Sequence, residues 1–161
     1  MDERLTPDFV MVEELESLDG LSESVWPLQP QKNAEPPFVF YIQDSDDEEE
    51  ALDGQTGLQH TRFKIHVVVG PGEYRRLAIL GSMIKARLSR LQGQAWERSD
   101  TGIVGLTVVG DAMPQVPGDR LFIERVHVAQ ASPDLFETDV GFYRRIYDVE
   151  FDYQTERSES A

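Results

Sequence analysis

A strictly alternating stretch, LQHTRFKIHVVV at residues 58–69, constrains the fold of this chain more than any other feature. Apolar side chains occupy every second position from residue 63 onward and alternate with Arg62, Lys64 and His66. Because successive side chains of a β-strand point to opposite faces, this period predicts a strand with one face in a core and the other in water. Such a strand needs sheet partners and a second layer over its apolar face.

The segment that follows predicts that covering layer. Residues 70–72, Gly-Pro-Gly, end the strand, and a helix is predicted to begin near Glu73 and to end at Gly93. We expect Gly81, in the middle of the helix, to allow close approach to the sheet, at a cost of about 1 kcal/mol in helix propensity relative to alanine. The predicted apolar stripe consists of Tyr74, Leu77, Ala78, Gly81, Ile84, Leu88 and Leu91.

Other segments supply the rest of the sheet. Residues 36–43, 120–130 and 141–153 are rich in aromatic and β-branched side chains and predict three further strands, the first of them apolar on both faces. A short amphipathic helix is predicted within residues 6–20. The order helix, strands, helix, strands predicts an α+β domain: a mostly antiparallel sheet with one long and one short helix packed on one face.

A length of 161 residues suits one domain, which we predict to span 1–157, with a loose tail at 158–161. Three segments are set apart within it: an acidic N-terminal helical arm at 1–24, an acidic loop at 44–57, and a loop or hairpin insertion at 94–119. The apolar side of the predicted N-terminal helix consists of Phe9, Val12, Leu15 and Leu18.

The net charge of −15 is concentrated in the first third of the chain. Residues 1–57 contain sixteen acids and two bases, and six of the acids fall within the seven positions 44–50. Binding to a phosphate backbone is not expected, because it relies on neutralisation by cations. Acidity also raises solubility, so a charge of this size can lack any specific role.

The acid run fails the pattern of a calcium-binding loop. Its carboxylates occupy positions 1, 3, 5 and 7 of such a loop, but Glu49 stands where glycine is required and Gln55 where a bidentate glutamate is required. His60, His66 and His127 lack the spacing of a zinc site, and the chain has no cysteine. No phosphate-binding or nucleophile motif is present. We therefore expect no enzymatic activity, cofactor or metal site.

Three blocks of the sequence carry a further signal. Residues 25–43, VWPLQPQKNAEPPFVFYIQ, contain aromatic-Pro-Leu, then Pro-aromatic-Val and a strand. Residues 52–88, LDGQTGLQHTRFKIHVVVGPGEYRRLAILGSMIKARL, contain an Asp-Gly-x-x-Gly-Leu turn, a strand and a helix. Residues 134–153, DLFETDVGFYRRIYDVEFDY, contain an acidic turn, Gly-aromatic-Tyr-Arg and a last strand. In this order and spacing, the blocks resemble the tail completion, or tail terminator, proteins of long-tailed bacteriophages.

The resemblance implies an α+β subunit of the virion that assembles, in the host cytoplasm, into a ring at the head-proximal end of the tail tube. The ring is typically a hexamer that ends tube polymerisation and offers a surface to the head. Implied partners are further copies of the chain, the tail tube protein and a head connector or stopper protein. DNA passes through without specific binding, and no membrane is involved. Two alternatives stay open: another neck component, and a small acidic non-catalytic binding module.

A ring gives the charged segments candidate roles. The acid run can line the bore and repel DNA, lie on the outer rim, or dock a partner; its residues are Asp44, Asp46, Asp47, Glu48, Glu49 and Glu50. The candidate contacts with a neighbouring subunit or a partner protein are Arg75, Arg76, Arg87, Arg90 and, in the 94–119 segment, Trp96. The alternative for the arginines is a solvated helix face, and for the tryptophan a flap without a partner.

Overall fold

The α+β expectation agrees with the structure, whose described residues form two helices and one mixed, mostly antiparallel sheet. The computed structural model describes the backbone of residues 5–51, 54–99, 102–106 and 120–156, and the side chains of 5–44, 58–97 and 120–154. In chain order the elements are α1 (Pro7–Glu16), β1 (Val25–Pro27), β2 (Phe38–Ala51), β3 (Gly54–Val69), α2 (Tyr74–Ser89), β4 (Gln94–Ser99), β5 (Gly102–Leu106), β6 (Arg120–Gln130), β7 (Leu135–Glu137) and β8 (Phe142–Glu156).

The described strands form one sheet in the order β1-β2-β3-β8-β6-β4-β5, with β7 also paired to β8. The β1–β2 pair is parallel, and every other pair is antiparallel. Strands β6 and β7 run along the same edge of β8 and are separated by a bend at residues 132–133.

The alternation predicted for β3 is confirmed for its core face, whereas its other face meets water at Arg62 and Lys64 but is buried at Val68. Phe63, Ile65 and Val67 are at most 2% exposed, whereas the side chains of Arg62 and Lys64 are 44% and 43% exposed. Strand β8 follows the same rule, and its aromatic side belongs to the core, with Tyr147, Val149, Phe151 and Tyr153 buried. The two central strands therefore share one apolar face, which the helices cover.

The close approach predicted at Gly81 is confirmed. A Cβ atom at this position would overlap the hydroxyl of Tyr147 and lie 3.1 Å from Nη1 of Arg145, both on β8. Only a residue without a side chain lets α2 lie this close to the sheet. The predicted apolar stripe of α2 omits Leu80, which is buried, and wrongly includes Tyr74 and Ala78, which are exposed. Its other residues are assigned correctly.

The first helix packs into the main core and does not extend from the domain as the predicted N-terminal arm would. Leu5 and Leu21, on either side of α1, are fully buried in the main core. The predicted stripe is wrong at Phe9, which is 37% exposed, because Val10 and Met11 face the core instead. The prediction used a strict three-residue spacing, which drifts around a helix of 3.6 residues per turn.

The acid run is a strand and not the loop that the sequence predicts. Residues 44–51 belong to β2 and pair with β3, with Asp46 opposite Thr61 and Glu48 opposite Gln59. Two irregularities in register accompany this stretch, between Gln43 and Ser45 and between Glu48 and Glu50. Cross-strand pairing overrides the low intrinsic strand preference of aspartate and glutamate. Residues 54–58 of the predicted Asp-Gly-x-x-Gly-Leu turn belong to β3, which begins at Gly54, and residues 52–53 lie outside the described residues.

The segment at 94–119 contains a hairpin, as predicted, formed by β4 and β5. It is not separate from the sheet, since Ala95 and Trp96 pair with Phe122 and Leu121 of β6. Residues 107–119 and the predicted loose tail at 158–161 lie outside the described residues.

Candidate functional site

Two of the four candidate arginines are engaged within the chain. Nη1 of Arg87 lies 2.8 Å from Oγ of Ser17 and 3.5 Å from a carboxylate oxygen of Glu14, so Arg87 links α2 to α1 and the turn that follows it. Arg76 pairs at 3.5 Å with Glu73, three residues earlier. Both pairs are partly solvated and contribute at most about 1 kcal/mol each. These two residues are therefore weaker candidates for contacts between subunits.

The outer face of α2 carries the other two arginines and an apolar patch. Arg75 and Arg90 are exposed near the two ends of this face. Between them lie Ile79 and Met83, which are 56% and 39% exposed. Helix α2 contains four basic residues and no acidic residue, although the whole chain is strongly acidic. The outer face of α2 thus combines apolar surface with positive charge.

Trp96 lies beside the end of α2. It lines a concavity of about 420 Å³ together with Arg87 and Arg90. Its side chain is half-buried, and within the described part of the chain its indole Nε1 is buried without a hydrogen-bond partner. The structure therefore brings three of the predicted contact residues together, while Arg75 lies near the other end of α2.

Among the predicted acidic residues, Asp44 is exposed on β2. Hydrogen bonding to Glu150, with a smaller contribution from Asp44, raises the pKa of Arg62. The side chains of the other five acids lie outside the described residues. The strand conformation of the backbone nevertheless spaces successive residues of the run about 3.3 Å apart.

The sheet face opposite the helices carries a charge ladder. Basic side chains of β3 lie across from acids of β8: Nε of Arg62 is 2.9 Å from Glu150, and Nζ of Lys64 is 2.9 Å from Asp148. Asp152 accepts from His60 at 2.6 Å. The bases of β3 thus have carboxylate partners within the chain, which leaves little unpaired positive charge on this part of the face.

Towards β1 and β7 the same face becomes apolar. Phe38, Phe40 and Val68 form a second buried cluster, separate from the main core, and Phe142 packs against it. The cluster forms the floor of a concavity of about 430 Å³. Its rim comes from the segment between β1 and β2 and from the β7–β8 turn, and its lining is Pro30, Gln31, Asn33, Ala34, Phe38, Phe40, Val68, Glu137, Val140, Phe142 and Arg144. We call this concavity the aromatic pocket.

Arg144 is the single cation among the described residues that line the aromatic pocket. It forms an ion pair with Glu137, and its guanidinium carbon lies 5.7 Å from the ring centroid of Phe40. Its Nε is buried and has no hydrogen-bond partner in the described part of the chain. Burial lowers the pKa of Arg144, which remains charged at any physiological pH.

A histidine stacks beside the pocket, on the strand next to Phe40. The His66 ring stacks on Phe40 with centroids 4.4 Å apart and planes 11° apart. Burial, followed by the nearby charge of Arg144, lowers the pKa of His66 to about 4. The imidazole is therefore neutral near pH 7 and serves as an aromatic surface beside Phe40.

The aromatic pocket combines apolar walls with one guanidinium, that of Arg144, whose Nε is buried. Such an arrangement is suited to binding an apolar group that bears an anion. Sequence reasoning missed it, although two signals were present. Residues 38–42 are apolar on both faces of their strand, which indicates a cover on each side. On the otherwise charged side of β8, Arg144 stands between Phe142 and Ile146.

Within the described ranges no group of three or more metal-ligating side chains occurs, and neither helix is long and apolar enough to cross a membrane. No known family model matches the chain, and no curated protein matches it. The resemblance of the three blocks to tail terminators therefore depends on the residues of those blocks alone.

Proposed function

We propose that this chain is a structural virion protein, a tail terminator that forms a ring on the head-proximal end of a phage tail tube and joins it to the head connector. The observation that carries this proposal is the position of the three family-like blocks. Residues 25–43 form β1 and the first part of β2, residues 52–88 include all of β3 and most of α2, and residues 134–153 form β7 and most of β8.

These elements are neighbours in space. Strands β1, β2, β3 and β8 are consecutive in the sheet, and α2 packs on β8 where Gly81 meets Tyr147. With β7, which pairs with β8, the motifs on which the resemblance depends thus form one continuous unit of five strands and a helix. Unrelated short similarities would have no reason to fall on adjacent elements. This contiguity supports a common fold, and through it the proposed role.

Ring assembly requires two different surfaces on each subunit, because a head-to-tail contact closes into a ring when its rotation is suitable. The outer face of α2, with Ile79, Met83, Arg75 and Arg90 exposed, is our candidate for one of them. A strongly acidic strand, residues 44–50, is available on the same chain as a complementary surface. Apolar contact would supply affinity, and charge would set orientation.

The acid run has a second possible position, on the wall of the bore. Six copies of a carboxylate-rich strand would repel DNA over about 8–10 Å at physiological salt. Its place in a paired strand would hold the charges in fixed positions, which a loose loop cannot do. The bore, the outer rim and a contact with another protein or subunit are the arrangements to be distinguished, and only the bore predicts an effect on DNA passage with assembly intact.

The mass of the assembly tests the ring. Six copies of an 18.3 kDa chain would sediment as a particle of about 110 kDa. Arg90→Glu, on the outer face of α2, should shift the assembly toward monomer, whereas Lys85→Glu has the same charge change on another side of the helix and should not. If both variants assemble like the parent, the outer face of α2 is not the contact.

If the purified protein is a monomer in solution, a ring can still form by assembly on the tail itself. Particles produced without the protein decide between the alternatives. Overlong or unjoined tails support a terminator, and heads that leak DNA support a different neck component. Normal particles would favour a small acidic binding module.

A further inference from the structure

The aromatic pocket has no role in the function proposed above. Both helices pack on the opposite face of the sheet, so the aromatic pocket lies outside the main core. Its floor is enclosed by its own rim, and Phe40 is 9% exposed. Phe38 and Val68 form its floor, and Val140 on the rim is 50% exposed. Apolar surface of this kind, combined with one charged group, is typical of a binding site.

The charged group points to the chemistry of the ligand. Arg144 donates to Glu137, a partner on the adjacent β7, and its buried Nε has no acceptor in the described part of the chain. A guanidinium can bind a carboxylate through two parallel hydrogen bonds, one of which uses Nε. The side chains of Arg144 and Glu137 are 26% and 34% exposed, so an incoming anion can reach the pair.

We propose that the aromatic pocket binds the C-terminal residue of a partner protein, with its apolar side chain against Phe38, Phe40 and Phe142 and its α-carboxylate on Arg144. Glu137 holds the guanidinium in the free protein and is displaced by the incoming carboxylate. The proposal does not depend on ring formation.

The dimensions of the pocket favour a terminal residue. A volume of about 430 Å³ lies at the lower end of the range for ligand pockets, which is roughly 300–1,000 Å³. The guanidinium carbon and the Phe40 centroid are 5.7 Å apart, a distance on the scale of one residue, since consecutive Cα atoms are about 3.8 Å apart. A C-terminal residue carries its carboxylate and side chain on one Cα, whereas an internal acid and its apolar neighbour need a longer groove.

A pair of small probes tests this chemistry directly. The ¹⁵N-labelled full chain is titrated with N-acetyl-leucine, which carries a free carboxylate, and with N-acetyl-leucinamide, its neutral counterpart. We expect the acid to shift the backbone amide signals of Phe40, Val68 and Phe142, and the amide to bind at least about tenfold more weakly, because it lacks a charge-assisted hydrogen bond. Equal binding of the two probes, or no shift at these positions, overturns the proposal.

Two substitutions at the ion pair predict opposite results. Arg144→Gln removes the guanidinium and should abolish the preference for the acid over the amide. Glu137→Gln removes the internal competitor and should tighten binding of N-acetyl-leucine severalfold. The matched control is Arg125→Gln, whose side chain is 72% exposed on β6 outside the pocket, and it should leave binding unchanged.

A general loss of structure cannot imitate this pattern. Unfolding would weaken binding in both ion-pair variants, while the proposal requires Glu137→Gln to strengthen it. If Arg144→Gln fails to fold, the comparison of the two probes on Glu137→Gln and on the parent still decides. Weaker binding to Glu137→Gln, or an equal loss in Arg125→Gln, contradicts the assigned roles.

Discussion

Replacing Gly81 by alanine tests how closely α2 approaches the sheet. Two effects oppose each other: alanine is favoured over glycine within a helix by about 1 kcal/mol, but the added methyl group overlaps the hydroxyl of Tyr147. Tyr147 is only 3% exposed, so its ring has little room to move. Overpacking of a well-packed core costs about 1–3 kcal/mol, and we expect the steric effect to prevail.

The steric cost less the gain in helix propensity gives an expected net loss for Gly81→Ala of up to about 2 kcal/mol in the free energy of unfolding, measured by urea denaturation. Tyr147→Phe removes the hydroxyl, and the double variant should recover about 1 kcal/mol relative to the sum of the single changes. Ser82→Ala, an exposed neighbour on the same helix, is the control for helix propensity. A Gly81→Ala protein more stable than the parent would refute the close approach.

Three further predictions concern charge. His66 has a folded-state pKa of about 4, below its ordinary value of 6.5, so the unfolded chain binds the proton more readily and stability should fall as the pH drops from 6.5 to 4. Because His66 is only half-buried, the free energy of unfolding should fall by about 1–2 kcal/mol over this range. His66→Phe, measured by denaturation at each pH, should flatten the dependence of stability on pH. An unchanged slope would show that His66 is not the cause of that dependence. Asp134, whose pKa is lowered first by its hydrogen bonds from Arg145, also accepts from Tyr74 and Gln130. Asp134→Asn should lower the free energy of unfolding at pH 7 by about 1–3 kcal/mol. The ionised Asp134 stabilises the fold above pH 3.8, and this stabilisation disappears as the pH falls through the lowered pKa, so the difference in stability between variant and parent should shrink in acid. A difference independent of pH would contradict the ion-pair explanation. Lysine replacements within residues 44–50 should slow DNA ejection without loss of assembled particles if the run lines the bore. Normal ejection would exclude the bore, and a loss of assembled particles would indicate a contact with another subunit or partner instead.

Local patterns of the sequence were sufficient for most of the fold. The two-residue period around Phe63 predicts a strand with a buried face, and the glycine at position 81 predicts close approach of the helix to the sheet. Both predictions depend only on residues nearby in the sequence, and both agree with the structure. The helix α1 shows the limit of this reasoning. Its apolar side was assigned by spacing alone, and the position of the surrounding core decides that Met11, not Phe9, is buried.

Properties set by distant partners could not be predicted in the same way. The acid run is a strand because β3 pairs with it along its length, which no property of the acidic residues themselves indicates. The aromatic pocket requires Phe40, Phe142 and Glu137 from three different strands to meet. The sequence contains its components, but their convergence depends on the order of strands in the sheet.

We propose that this chain ends the growth of a tail tube, and the length of the tails tests that role most directly. Electron microscopy of particles made without the protein should show tubes of variable, excessive length that are not joined to heads. Adding back the purified protein should restore joining. Tails of uniform normal length attached to filled heads in its absence would contradict the account.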